Sequence, residues 1–146
     1  MVGFFVRTPL AFLSVSQPSW RAWPRFAALS RKKRTMKITA SIAQNGVALL
    51  EVEGGVDAHT AHLLRRTLGD LLAQGHGRLV LDVSHMEYIS SAGLRVLLDA
   101  RRDARRLGGE VRLCDPNALV RRVIDLAGFE ELLYVSGTRQ QAMEDW

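Results

Sequence analysis

The chain has 146 residues, 47% hydrophobic and 24% charged, the balance of a globular protein with core enough for one ordinary domain. Its net charge of +5 suggests a nucleic acid or membrane partner, but residues 1–35 hold seven of the 20 basic residues and no acid. The other 13 face 15 acids, so from Met36 onward the balance is about −2 and no basic footprint for a polyanion remains. The single cysteine, Cys114, excludes an intrachain disulfide and a cysteine-rich metal site. In the apolar run Val111-Arg-Leu-Cys114 it reads as a buried structural thiol.

Residues 1–35 read as a basic disordered leader, or as upstream sequence ahead of a start at Met36. The apolar run from Pro9 to Val15 is short, and Pro18 and Pro24 break any longer helix, so no membrane span is expected. The order of features in a secretory signal is poorly met, while the Arg-rich, acid-free composition also fits an organelle transit peptide. The block Arg31-Lys-Lys-Arg34 is expected to be a solvated tail, and the folded domain is expected over 36–146.

From Met36 the punctuation is clear. Lys37 to Ala43 alternates polar and apolar residues, Asn45-Gly46 predicts a two-residue turn, and Val47 to Val52 resumes the pattern as a β-hairpin. Gly54-Gly55 ends the hairpin, and Asp57 is placed to cap a helix with Ala61, Leu64, Leu68, Leu71 and Leu72 on its buried face. Arg78 to Val83 is a nearly continuous apolar run, which predicts a central strand covered on both faces. His85 to Ile89 reads as a loop leading to a second helix, capped by Ser90 or Ser91, with Leu94, Leu97, Leu98, Ala104 and Leu107 as its apolar positions. The opposite face carries Arg95, Arg101, Arg102, Arg105 and Arg106, and the interleaved Asp99 and Asp103 predict ion pairs. Gly108-Gly109 closes that helix; Glu110 to Cys114 is a strand, and Asn117 to Gly128 bounds a third helix. Leu132 to Val135 is a last strand, and Thr138 caps a terminal helix reaching Trp146. The order β-β-α-β-α-β-α-β-α predicts an α/β fold: a mixed sheet with an opening hairpin and about four helices packed against it.

Catalytic machinery is not evident. Ser90 and Ser91 do not lie in a G-x-S-x-G elbow and have no adjacent His–carboxylate pair. His59 and His62 lie three apart on the first helix, without H-E-x-x-H spacing or a third ligand, so they are expected to face solvent. His76 and His85 fall in predicted loops, and the Gly-Gly pairs lack the Lys-Ser/Thr of a phosphate loop. No metal, cofactor or enzymatic role is expected. Two hydroxyls at a helix start are different, because the unpaired N–H groups and partial positive charge there accommodate a phosphate. On spacing alone two readings stay open: one serine caps and the other fills the turn, or one of them is modified.

The stretch Leu79-Val-Leu-Asp-Val-Ser-His-Met-Glu-Tyr-Ile-Ser-Ser-Ala-Gly-Leu-Arg-Val-Leu-Leu98 resembles the bacterial anti-sigma factor antagonists, whose fold is the STAS domain. Support comes from Gly54-Gly-Val-Asp-Ala-His-Thr-Ala61, Gly108-Gly-Glu-Val-Arg-Leu-Cys114 and Ile124-Asp-Leu-Ala-Gly-Phe129, and the likeness spans essentially all of 36–146. The family's Asp-Ser-Ser-Gly-Leu-like motif carries its regulatory serine two residues before the glycine, which is Ser91 here. Ser90 stands where the family has Asp, and Ala92 where it has a second Ser. The resemblance implies a cytoplasmic partner-switching regulator, a monomer or weak dimer, switched off by phosphorylation of Ser91. Its implied partners are an anti-sigma factor that is also a serine kinase, and a PP2C-type phosphatase, with no direct nucleic-acid contact. The implied partner face comprises Asp57, His59, Thr60, Ser90, Ser91, Gly93, Leu94 and Arg95. The competing use of the fold is an accessory subunit of a lipid ABC transporter or a signalling scaffold, which docks through the same face without obligatory phosphorylation. A small enzyme with Ser91 as nucleophile lacks a base, and a nucleic-acid module would rest on the leader alone.

Overall fold

The computed structural model describes residues 35–144 and 146; the leader expected over 1–35 lies, apart from Thr35, outside them. The order of elements is β1 (Met36–Ile42), β2 (Ala48–Val56), α1 (Ala61–Ala73), β3 (Arg78–Ile89), α2 (Ser91–Arg106), β4 (Glu110–Cys114), α3 (Ala118–Leu126), β5 (Tyr134–Ser136) and α4 (Arg139–Met143). The five strands form one sheet in the order β1-β2-β3-β4-β5. β1 and β2 are antiparallel, and each later neighbour is parallel. This is the expected mixed sheet with an opening hairpin.

The main core lies on the face covered by α1, α2 and α3, where Leu50, Val52, Leu81, Val83 and Leu113 of the sheet meet Leu64, Leu68, Leu97, Val120 and Ile124. The helical residues recur at three- and four-residue spacings, which is why their sequence shows one apolar stripe per helix. α4 covers the opposite face, where Val47, Val80, Cys114 and Ala142 make a second, smaller cluster. Cys114 is fully buried, and burial, with the nearby Asp82 charge, pushes its thiol up to about 12. It is an inert core residue, as its neighbours in sequence imply.

The hairpin turn differs from its expected form. Ala43 accepts from Gly46 N at 2.9 Å and donates from its own N to Val47 O at 2.8 Å. The loop is therefore Gln44-Asn45-Gly46, with Gly46 at φ +85° in the left-handed region that closes a three-residue turn.

A larger difference lies in β3, which continues through the segment expected as a loop and ends at Ile89. Its pairing with β2 shifts twice: Glu51 faces Asp82 but Glu53 faces His85, and Gly54 faces Met86 but Gly55 faces Tyr88. Each shift inserts one extra residue into β3, as a bulge does. Two insertions turn the usual alternation into a spacing of three, so Val83, Met86 and Ile89 all reach the core. A run with that spacing does not read as a strand.

An ion cluster pins α4 to the sheet. Arg139 donates from Nε to Asp82 Oδ2 at 2.9 Å and from Nη2 to Glu51 at 2.6 Å. Ser84 N donates to the other Asp82 oxygen at 2.9 Å. Nearby, Arg112 lies 4.7 Å from the Tyr134 ring and 3.7 Å from that of Trp146, and donates to Ala142 O. Burial pushes the Asp82 carboxyl up, but the Ser84 hydrogen bonds and the Arg139 guanidinium outweigh it and hold the group below its ordinary value of 3.8. A depressed folded-state value means the contribution is present above the unfolded-state value and is lost as pH falls through the folded one. Asp82→Asn is expected to cost about 1–3 kcal/mol at neutral pH, the range for charge-assisted bonds to a buried group. Chemical denaturation at a series of pH values checks this: the two proteins differ at neutrality and converge in acid.

Candidate functional site

The two segments implicated by the sequence meet at one end of the sheet. β2 and β3 run parallel, with Val56 paired to Ile89, so the turns that follow them leave side by side. Ser90 N donates to Val56 O at 2.8 Å, which fixes the start of α2 against the end of β2. Gly93 completes the junction, since a Cβ there would stand 2.7 Å from side-chain carbons of both Ile89 and Val56. Only glycine allows the helix to sit that close.

The two serines divide their roles. Ser90 is the N-cap, and its Oγ accepts from Gly93 N at 3.3 Å. Ser91 is the first helical residue; it is exposed, and its hydroxyl has no hydrogen-bond partner among the described residues. Of the two serines at the helix start, Ser90 is therefore the cap, and Ser91 makes no side-chain hydrogen bond among the described residues.

The β2–α1 turn is held by Asp57, whose Oδ1 accepts from His59 N at 2.8 Å and Thr60 N at 2.9 Å. Asp57 was expected to cap α1, but the N-cap residue is Thr60, and Asp57 instead closes the turn in front of the helix. The Thr60 hydroxyl shares its proton between Gly55 O at 2.9 Å and Asp57 Oδ1 at 3.2 Å. Across the gap Tyr88 OH donates to Asp57 Oδ2 at 3.0 Å. The Tyr88 ring lies over Gly55, where a Cβ would come within 2.2 Å of ring carbon Cε1. Burial pushes the Asp57 carboxyl up, but the N–H groups of Thr60 and His59 and the Tyr88 and Thr60 hydroxyls hold it below its ordinary value.

Beside Ser91 lies a shallow groove of about 520 Å³, lined by Ser91, Ala92, Leu94, Arg95, Leu98 and Asp99 of α2, with Ala127 and Phe129 opposite. Asn117 ties the start of α3 to the sheet, because its Oδ1 accepts from Val120 N (2.8 Å) while its Nδ2 donates to Met86 O (2.6 Å) on β3. Of the residues expected at the site, His59, Ser91 and Arg95 are exposed, and Asp57 and Ser90 are half-buried. Thr60 and Gly93 are enclosed and shape the surface from within, while Leu94 is buried as the groove's floor. Tyr88, Leu98 and Phe129 were not picked out for the site. Leu98 could have been found as the position seven after Ser91, on the same helix face; Phe129 and Tyr88 arrive only through tertiary contact.

His59 and His62 are exposed, as expected, while His85 lies on β3 rather than in a loop. Among the described residues there is no group of three His, Cys, Asp or Glu able to hold a metal ion, and no helix long and apolar enough to cross a membrane. Tyr88→Phe removes one of the bonds that hold Asp57 down, so the Asp57 pKa is expected to rise and the fold to lose about 0.5–1.5 kcal/mol. Carboxyl-carbon NMR titration of both proteins reads the first effect and chemical denaturation the second.

Comparison with known proteins agrees with this architecture. The STAS domain family model matches residues 39–142. The chain is 35% identical to BtrV of Bordetella bronchiseptica over 98 residues, covering 67% of this chain and 84% of that one. It is 30% identical to the anti-sigma-F factor antagonist RsfB of Mycobacterium tuberculosis over 109 residues, covering 73% and 87%. The Bacillus anti-sigma factor antagonist SpoIIAA, solved in unphosphorylated and phosphorylated forms, shares the fold at TM-scores of 0.65 and 0.59 and 17% identity. The unphosphorylated form aligns over 73% of this chain and 93% of its own length. With the match covering most of the chain and its α/β order reproduced, this protein belongs to the anti-sigma factor antagonist family of STAS domains.

Proposed function

We propose that this chain is a partner-switching regulator. Unmodified, it holds an anti-sigma factor that is also a serine kinase, and so frees a sigma factor. Phosphorylated on Ser91 it is released, and a PP2C-type phosphatase restores it. It acts in the cytoplasm, where transcription takes place. The kinase's ATP site and catalysis belong to the partner.

The observation that carries this reading is the state of Ser91: exposed at the first turn of α2, unbonded, and on the rim of an apolar groove. A kinase needs an accessible hydroxyl, and Ser90 offers a poorer one than Ser91, being half-buried with its oxygen accepting from Gly93 N as the cap. The names of the relatives and the two forms of SpoIIAA support the same reading. A partner seated on Ala92, Leu98 and Phe129 beside Arg95 would enclose Ser91, and one that also reached the adjoining β2–α1 turn would meet Asp57 and His59. Phosphorylation adds almost two negative charges there. At about 1.4 kcal/mol per tenfold, desolvating that charge by a few kcal/mol turns tight binding into weak. The helix need not unfold, because a phosphate at its first residue meets a partial positive charge.

The test is to incubate the full chain with candidate partner kinases and ATP and to map any phosphate by mass spectrometry. One phosphate is expected on Ser91 in the wild type and in Ser90→Ala, and none in Ser91→Ala. Ser90→Ala is expected to be about 1 kcal/mol less stable, the usual cost of a lost cap. Ser91→Ala should bind the kinase constitutively and Ser91→Asp poorly. Phosphate on Ser90 would shift the assignment by one residue. No phosphate on either serine, with Ser91→Asp binding as well as wild type, would favour a docking module of the transporter-subunit or scaffold kind.

A further inference from the structure

Among the arginines of α2, one stands apart. Arg101 is held by Glu110 at 3.2 Å, Arg105 by Glu110 at 3.4 Å, and Arg106 by Asp103 at 3.4 Å. Arg102 reaches Asp99 at 3.8 Å and Asp103 at 3.7 Å. Arg95 has no carboxylate partner among the described residues, although Asp99 is four residues on. Asp99 is already engaged by Arg65 at 3.2 Å and by Arg102.

Arg95 instead lies exposed along the groove, four residues after Ser91, and it is the one basic residue of the groove lining. Residues four apart on a helix are neighbours, with Cβ atoms about 5–6 Å apart. Helical side chains lean toward the N-terminus. The lean carries Arg95 toward Ser91.

We propose that Arg95 is the intramolecular partner of a phosphate on Ser91, folding its guanidinium back onto the phosphate oxygens. The inference rests on the reading of Ser91 as the phosphorylated residue. The transfer itself moves the γ-phosphoryl group of ATP to Ser91 Oγ, with loss of the hydroxyl proton and release of ADP, and Arg95 takes no part in it. Once formed, the phosphate carries more charge than a carboxylate and three acceptor oxygens that suit the planar fork of arginine. Asp99, shared between two arginines, does not compete. The switch then works in two ways at once. Modification places a negative charge in the contact face, and it withdraws the positive charge that in the unmodified chain is free to meet an acidic group of the partner.

The test uses the full chain with phosphoserine placed at position 91 by genetic-code expansion, so that no kinase is required. Phosphorus NMR reads the second ionisation of the phosphate, which lies near pH 6 in an unpaired phosphoserine. A paired guanidinium is expected to lower it by about 0.5–1 unit relative to the same protein carrying Arg95→Gln, with Arg95→Lys between them. Arg102→Gln, which alters an arginine already paired elsewhere, is the control and should leave the value in place. Equal values in the wild-type background and in Arg95→Gln would overturn the proposal. This outcome is distinct from failure of the Ser91 reading, which shows only when the kinase leaves Ser91 unmodified.

Discussion

Parallel pairing of β2 with β3 brings the ends of both strands, and the turns that leave them, to the same edge of the molecule. Everything at the candidate site depends on that register. The bond from Ser90 N to Val56 O and the missing side chain at Gly93 let α2 begin directly against the end of β2. Tyr88, lying over Gly55 and donating to Asp57, then ties the β2–α1 turn to the β3–α2 junction. The two bulges in β3 serve the same end, because they carry Met86 and Ile89 into the core and leave Tyr88 to reach across to Asp57.

The result is a surface whose two turns are joined to each other by hydrogen bonds and close packing. Ser91 sits on the first turn of a 16-residue helix whose cap is made by a different residue. A charge added to its hydroxyl therefore acts on whatever covers the groove, without first dismantling the helix. On the opposite face, Asp82, Glu51 and Arg139 hold the short α4, which could not be stable on its own five residues. One face of the sheet is closed by this latch, and the other carries the helices that build the groove.

Local signals made most of the fold legible. The apolar stripes of α1 and α2, the caps at Ser90, Asn117 and Thr138, and the alternation through β1 and β2 each depend on a few neighbouring residues. At the end of β3, where local pattern misled most, non-local pairing was the cause. The extended end of β3 reads as a loop because its bulges give its apolar residues a spacing of three, and only the register against β2 shows them to be one strand. The same holds within the site. Ser90 and Ser91 could be singled out by type, but which of them caps the helix is settled by the bond to Gly93 N. The bond between Tyr88 and Asp57, 31 residues apart, and that between Asp82 and Arg139, 57 apart, leave no trace in local sequence.

The central claim is that a phosphate on Ser91 separates this chain from its anti-sigma factor partner. The most direct measurement is calorimetric titration of that partner with two forms of the full chain, one unmodified and one carrying phosphoserine at position 91. The account predicts that the modified chain binds at least about 100-fold more weakly, roughly 2.8 kcal/mol, with the fold unchanged by circular dichroism. Equal affinity of the two forms would contradict it.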